Sequence, residues 1–570
     1  MSEFDLQVLP FDLTAISHWA ELDPRYRNWP VVYTLQGQQK VYVGETLNAS
    51  TRLRQHLDSH DKRELEAIRV VIDESFNKSV CLDLESYLIR LFSGDGAYEV
   101  LNRNVGITNA EYYRRSEYQV RFDEIFESLR AHGLFTRSIS EIENSALFKL
   151  SPFKALTDDQ AVAVEEILRN LFGDIATESP KLSVVEGNPG TGKTVVGIYL
   201  VKLLRDVATH DFVEPVSEDT FFSEFFSPDY VSMARSLNVG LVVPQQSLRQ
   251  SIQRVFENTT GLHKHQVLSP FDVGQSDQHY DLLVVDEAHR LSQRANQPAA
   301  ALNRKFSEIN MRLFGNDDFA HTQLDWIIAQ SKHQVLLLDP LQTVRPADLP
   351  LETTRAVSET SKDQQRWYPL TSQMRIRANE DYVGYVRRVL NNAQTDRMEF
   401  ADYDLKFFDN LADMYETLAV KEAELGLCRL VAGYAWPWVS RNDPHAFDIA
   451  IDGLSFKWNT TTKDWVTSAN AFDEVGSIHT VQGYDLNYAG VIIGRDLYLD
   501  QQTRTVSVDR SNYFDSKGKE NNPRLGLTYS DDELLAYVKN IYAVLLTRGI
   551  MGTYIYVSDE HLRNCLSRFF

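Results

Sequence analysis

Residues 182–204 constrain the fold of this chain more than any other stretch. Leu182 to Val185 is a short apolar run, the turn Glu186-Gly-Asn-Pro-Gly-Thr-Gly-Lys-Thr194 follows, and Val195 to Leu204 then places apolar residues at helical spacing. A strand, a glycine-rich loop and a helix in that order call for an α/β parallel sheet. Gly187, Gly190 and Gly192 free the backbone for turn angles closed to other residues. The loop Gly187-Asn188-Pro189-Gly190-Thr191-Gly192 can then gather its N–H groups around a polyphosphate at a helix N-terminus. Lys193 would reach the β and γ phosphates, and the Thr194 hydroxyl would hold Mg²⁺.

With 570 residues the chain is too long for one core, and length alone predicts about three or four domains. A composition of 43% hydrophobic and 24% charged residues is that of a globular protein. The net charge of −22 argues against a broadly basic nucleic-acid coat, yet leaves room for a local basic cleft. Cys81, Cys428 and Cys565 are far apart and form no C-x-x-C pair, so neither a zinc site nor a disulfide framework is expected. They read as buried thiols of a reducing compartment. The start, Met-Ser-Glu-Phe-Asp-Leu, is acidic where a signal peptide would be basic, and no apolar run reaches the ~18 residues of a membrane helix. The expectation is a cytoplasmic protein without a membrane partner.

After a lead over residues 1–24, Val31-Val-Tyr-Thr-Leu35 and Lys40-Val-Tyr-Val-Gly44 are β-rich runs that predict a hairpin. Thr51-Arg-Leu-Arg-Gln-His56 reads as a helix with Arg52 and His56 on one face. A second helix over Leu82 to Phe92 carries Glu85, and Val100-Leu-Asn-Arg-Asn104 closes the segment. Those residues in that order resemble the GIY-YIG endonuclease domain, with Val31-Val32-Tyr33 and Tyr42-Val43-Gly44 as its signature triplets. The resemblance implies a small α+β domain over residues 25–110. In it Glu85 binds a metal ion, Tyr33 and His56 flank the attacking water, Tyr42 and Arg52 hold the scissile phosphate, and Asn102 supports the site. One carboxylate on a hard cation leaves positions open for phosphate and water. The first triplet lacks its glycine, and Glu45 stands where several members carry a basic residue. Read one by one, Tyr33 and Tyr42 are also what a hairpin core would hold, and Arg52 and Glu85 what a solvated helix would. Residues 111–152, rich in charge with Phe122, Ile125, Phe126 and Leu129 at helical period, read as a helical linker.

Thr157 or Asp158 caps the next predicted helix, and Gln160 is placed to read an adenine edge ahead of the phosphate loop. Asp281-Leu-Leu-Val-Val-Asp-Glu-Ala-His289 reads as a buried parallel strand that delivers Asp286 and Glu287 to its carboxyl end. Asp286 would hold Mg²⁺ through water, and Glu287 would take the proton of an attacking water. Adjacent carboxylates there are costly without a cation. The strand from Gln334 ends at Asp339-Pro-Leu-Gln342, which places Gln342 to sense a γ-phosphate.

Together with Ser372-Gln-Met-Arg375, Ser477-Ile-His-Thr-Val-Gln-Gly-Tyr-Asp485 and Ile541-Tyr-Ala-Val-Leu-Leu-Thr-Arg548, this set resembles a superfamily 1 helicase. The resemblance implies ATP and Mg²⁺ as cofactors and nucleic acid as partner, DNA in preference to RNA. It implies Arg375 and Arg548 as arginine fingers and Asp485 near the ribose, and Gln482 leans to the RecD-like branch. Leu430-Val-Ala-Gly-Tyr-Ala-Trp-Pro-Trp438, Lys457-Trp-Asn459 and Arg548-Gly-Ile-Met-Gly-Thr-Tyr-Ile-Tyr556 resemble more closely the Schlafen-type DNA/RNA helicases of bacteria. Trp436, Trp438, Trp458 and Trp465 have two readings, base stacking and core packing. The Phe-rich stretch 206–238 reads as an insertion covered by its own aromatics, and 501–523 as a loop with a short hairpin.

The expected fold is therefore α/β, two RecA-like parallel-sheet lobes of a P-loop NTPase over residues 153–360 and 361–570, preceded by the small α+β domain. The expected function is an ATP-dependent helicase or translocase coupled to a metal-dependent endonuclease, with defence against foreign DNA as a setting. Two rivals keep the ATPase: an N-terminal domain that binds DNA without cutting it, and an ATP-gated switch that recruits partners without translocating.

Overall fold

The computed structural model describes residues 4–570 apart from 104–111, 213–220, 295–299, 340–341, 343–344, 374–375, 377–380, 462–464, 482–483, 517, 520, 522–525 and 527. The chain forms two compact units. One comprises Met1–Thr177, Val195–Leu237 and Gln250–Val267; the other comprises Glu178–Thr194, Asn238–Arg249 and Leu268–Phe570.

In the first unit the expected hairpin forms between strands Val31–Gly37 and Lys40–Thr46. It lies within a five-stranded sheet in the order Asp5–Pro10, Leu65–Ile72, Val31–Gly37, Lys40–Thr46, Glu99–Val100. Asp5–Pro10, within the expected lead, is an edge strand of mixed exposure, so it carries no clear period-two pattern. Helices Ala49–Leu57 and Lys78–Asp95 start on asparagine caps, where Asn48 and Asn77 side chains accept from the amides of Thr51 and Val80. Gly96, at φ +70°, ends the second helix in a left-handed turn.

Helix Arg115–Ala131, expected as a bridge between domains, packs Phe122, Ile125, Phe126 and Leu129 into one cluster with Leu84, Leu88 and Phe92 of helix Lys78–Asp95. Its period was legible, but a linker and a helix with one wet face have the same charge-rich composition. Phe222, Phe225 and Phe226 of the Phe-rich stretch are buried, as expected.

In the second unit, five strands of a six-stranded sheet run parallel in the order Trp367–Leu370, Leu182–Gly187, Ser331–Leu338, Tyr280–Val285, Val239–Val242. Val184, Leu283, Val285, Leu336 and Leu338 share a core with Leu324 and Ile327 of helix Gln323–Ala329. Burial on both faces is why these strands read as unbroken apolar runs. Trp367–Leu370 lies beyond the expected lobe boundary at residue 360, yet it pairs with Leu182–Gly187 from Trp367↔Val184 to Leu370↔Gly187. Pro369 disguises it, since proline is tolerated only on such an edge.

A seven-stranded sheet follows, in the order Asp404–Phe408, Gly549–Val557, Leu486–Ile493, Cys428–Ala432, Glu474–Ser477, Leu454–Trp458, Ile449–Ile451. Neighbours are parallel except for the last pair, an antiparallel edge hairpin. Val431, Val491 and Ile555 pack there with Val538, Tyr542 and Leu546 of helix Asp531–Leu546. A short antiparallel hairpin pairs Leu497–Leu499 with Val506–Val508, so only its second strand lies within residues 501–523, where a hairpin was expected. Two lobes built on largely parallel sheets are thus present. No described helix is long and apolar enough to cross a membrane. Cys81 and Cys428 are buried free thiols, and Cys565 is partly exposed.

Candidate functional site

The phosphate loop joins strand Leu182–Gly187 to helix Lys193–Ala208. Gly190 and Gly192 take φ +88° and +76°, a region that penalises a side chain. Gly187 is required for space instead: a β-carbon there would stand 2.4 Å from Thr191 Oγ1, which donates to the Asn188 carbonyl at 2.9 Å. The Lys193 ammonium donates to the carbonyls of Gly187 at 2.6 Å and Asn188 at 3.0 Å, and lies 3.8 Å from Asp339 Oδ2. A triphosphate entering the loop would compete for these bonds. Pro189 offers its carbonyl to Gln373 Nε2 at 2.8 Å, so the segment leading into the second lobe touches the loop.

Strand Tyr280–Val285 delivers Asp286 and Glu287 as expected. Thr194 Oγ1 donates to Asp286 Oδ2 at 2.9 Å, while Asp286 Oδ1 is buried without a hydrogen-bond partner. Burial, then the neighbouring Glu287 charge, pushes the Asp286 carboxyl up to about 7. A divalent cation would relieve both costs, so Thr194 and Asp286 fit the expected Mg²⁺. Among the described residues no group of three or more His, Cys, Asp and Glu side chains gathers into a metal cage. Mg²⁺ commonly takes only one or two protein carboxylates beside phosphate oxygens.

Glu287 sits at φ +48°, a conformation that costs a non-glycine residue about 1–3 kcal/mol. Its Oε2 lies 3.2 Å from His289 Nε2, an ion-pair distance without hydrogen-bond alignment. Burial opposes ionisation of Glu287, but His289, Arg290 and Lys193 together hold the carboxyl well below the usual range. An ionised carboxylate is what a proton acceptor for water requires. Gln342 Nε2 donates to Asp339 Oδ2 at 2.7 Å, so Gln342 and Lys193 meet on Asp339. Asp339 was read only as a strand end; its position at the carboxyl edge of a parallel sheet was the available signal.

A polar chain leads away from these residues. Arg290 donates to Gln245 Oε1 at 3.2 Å, Gln245 Nε2 donates to the His479 carbonyl at 3.1 Å, and Arg345 contacts His479 Nε2. These residues come from four separate stretches of the chain, and Gln245, Arg290, Arg345 and His479 were not singled out from sequence.

The remaining expected residues fall elsewhere. Arg375 and Gln482 lie outside the described residues. Arg548, 2% exposed, donates to the Tyr484 carbonyl at 3.4 Å, and Asp485 is partly buried. Arg387 of helix Tyr382–Leu390 had no sequence signal; burial lowers its guanidinium pKa while the Asp339 charge raises it. Gln160 is buried, and its side-chain oxygen accepts from the Thr157 amide at 3.1 Å, which makes it part of a helix cap.

The N-terminal expected residues converge on the hairpin. Tyr33 faces Gly44 across it, and a β-carbon on Gly44 would stand 2.4 Å from the Tyr33 oxygen, which explains the glycine. Tyr33 Oη and His56 Nε2 are 2.7 Å apart. The Tyr42 ring lies edge-on to His56 at 5.0 Å. Asn102 accepts from the Val43 amide at 3.0 Å and donates to its carbonyl at 2.7 Å, fixing the strand. Burial raises the Tyr33 hydroxyl pKa well above its usual value, and the Arg52 charge acts against that rise. Glu85 is partly buried; burial, then Glu45, pushes its carboxyl up to about 8. Glu45 pairs with Lys78 through one oxygen, and its Oε2 is buried without a hydrogen-bond partner. Two carboxylates in this state suit a bound cation, with Glu45 as a member that sequence reading counted as a departure.

A family model described as Schlafen group 3, DNA/RNA helicase domain matches residues 180–559. The chain belongs to this family. The Schlafen group 3 match opens just before strand Leu182–Gly187 and ends just after Gly549–Val557, so it takes in the phosphate loop, Asp286, Glu287, Asp339 and both parallel sheets. An uncharacterized protein of Saccharomyces cerevisiae is 24% identical over 465 residues, covering 75% of this chain and 93% of that protein. Pif1 helicase from Candida albicans is 11% identical, covers 72% of this chain and 96% of its own, and superposes at a TM-score of 0.28. Bacteroides Pif1 bound to ssDNA is 10% identical, covers 70% and 92%, and scores 0.25.

Proposed function

We propose that this Schlafen group 3 helicase domain is an ATP- and Mg²⁺-dependent translocase on nucleic acid, DNA before RNA, coupled to an N-terminal Mg²⁺-dependent endonuclease of GIY-YIG type. The motor reading is carried by the meeting of Lys193, Thr194, Asp286, Glu287 and Asp339 at the carboxyl ends of three parallel strands. ATP binds the loop, Thr194 and Asp286 hold the cation, and Glu287 accepts a proton from water. The chain Arg290–Gln245–His479–Arg345 supports a link from the nucleotide site to the stretch around His479. The nuclease reading is supported by the gathering of Arg52, His56, Glu85 and Asn102 around the hairpin that carries Tyr33 and Tyr42. A cytoplasmic setting is proposed from the cysteine usage and the acidic start of the sequence, and a role against foreign DNA from the resemblance and the pairing of activities alone.

The second reading, an N-terminal domain that binds DNA without cutting, is favoured by one observation: with its carboxyl pushed up to about 8, Glu85 is protonated at neutral pH unless a cation is bound.

Cleavage of duplex and forked DNA with Mg²⁺, with and without ATP, separates these readings. The coupled enzyme cuts, Glu85→Ala abolishes cutting while ATP turnover continues, and Lys193→Ala removes the ATP dependence. A parent that never cuts but hydrolyses ATP faster with DNA leaves the noncutting reading.

A further inference from the structure

Beneath the Tyr33–His56 pair lies a residue with no assigned role. Lys62, in the short turn His60–Lys62, is 4% exposed. Its ammonium nitrogen is 2.7 Å from His56 Nδ1 and 4.0 Å from the centre of the Tyr42 ring. Burying a lysine side chain is costly, and surface lysines have no reason to pay that cost. The Tyr42 ring face offsets part of it.

The chemistry of the three groups fixes their protons. A lysine ammonium has three N–H donors and no acceptor, so His56 Nδ1 must accept. A neutral imidazole that accepts at Nδ1 carries its hydrogen on Nε2, which then donates across 2.7 Å to the Tyr33 oxygen. An imidazolium is disfavoured by a cation in direct contact. The Arg52 charge also acts on Tyr33. Tyr33, fully buried, accepts from His56 and still has its own O–H to give.

We propose that Lys62 is a positioning residue of the N-terminal site: by donating to His56 Nδ1 it fixes the Nε2–H tautomer, so that Tyr33 meets a bound phosphate or water as an O–H donor. His56 consequently has no lone pair with which to take a proton from water. Of the two groups expected to flank the attacking water, one becomes a donor and the other its support. This assignment rests on the nuclease reading for its meaning, but the tautomer itself does not.

The test uses the full chain with ¹⁵N-labelled histidine and long-range ¹H–¹⁵N correlation at pH 8, with His56 identified by the signals lost in His56→Gln. The expected pattern is Nε2–H in the parent and in Lys62→Arg, which is also a pure donor, and a mixture or Nδ1–H in Lys62→Met. An Nδ1–H tautomer or an imidazolium in the parent overturns the proposal, as does an unchanged pattern in Lys62→Met. Should Lys62→Met fail to fold, the parent pattern and Lys62→Arg still decide. With Mg²⁺ and duplex DNA, Lys62→Met should lose about 100-fold in kcat at similar KM, with Lys62→Arg restoring most of it. A parent that shows the Nε2–H pattern and never cuts refutes the nuclease reading and leaves the role of Lys62 in place.

Discussion

Asp496 shows how one buried carboxyl can set a pH dependence far from any reaction. It is fully buried, accepts from the Tyr542 hydroxyl at 2.6 Å through Oδ1, and leaves Oδ2 buried without a hydrogen-bond partner. Burial raises its pKa from the usual 3.8 to about 7. The folded state therefore binds this proton more tightly than the unfolded chain does. The sign follows: the contribution is fully present below pH 4, is lost as pH rises towards 7, and changes no further above it. Asp496→Asn keeps the oxygen that Tyr542 needs and removes the charge. It should melt higher than the parent at pH 8, by a free energy of at most about 4 kcal/mol, and the two should converge near pH 4. Melting curves at both values check this, and a parent that melts alike at pH 5 and pH 8 would refute it.

At the scale of elements, the four tryptophans held in two readings divide cleanly. Trp458 and Trp465 are 2% and 1% exposed and belong to the core, whereas Trp436 and Trp438 are partly exposed on the loop after strand Cys428–Ala432. That loop is braced, since Asp448 accepts from the amides of Ser440 and Trp458 at 2.7 Å each. The Arg441 guanidinium lies 5.6 Å from the Trp438 ring. Trp438→Ala should weaken single-stranded DNA binding by about 1–3 kcal/mol at a stated salt concentration, without changing ATP turnover in the absence of DNA. Trp458→Ala should instead destabilise the fold by about 3–5 kcal/mol, read as a fall in melting temperature. Sequence could not separate the two pairs, because burial depends on which strands neighbour the loop. It could place the phosphate loop and the Asp286-Glu287 strand end, where backbone chemistry and strand burial leave a local pattern. Lys62 and Arg387 left none: each takes its meaning from a partner distant in sequence or hidden under a turn.

Across the whole motor, the second lobe reaches the nucleotide site at more than one point. Gln373 holds the phosphate-loop backbone, and Arg387 lies within the influence of Asp339. Arg387→Ala should lower kcat for ATP by about tenfold or more with little change in nucleotide affinity, as expected for a group that acts mainly in the transition state. Steady-state turnover with a nucleotide-binding titration checks it, and equal losses in both would make Arg387 a binding residue.

The two compact units also carry an evolutionary consequence. Val195–Leu237 and Gln250–Val267 lie inside the helicase match yet cluster with the first 177 residues. The chain passes between the units repeatedly, so no single break in the gene separates one from the other. A deletion of the N-terminal part would leave two helical segments of the motor without the neighbours they cluster with. The helicase part is thereby tied to the N-terminal fold, and a lineage that dispensed with the N-terminal site would be expected to keep that scaffold and lose only the site's side chains.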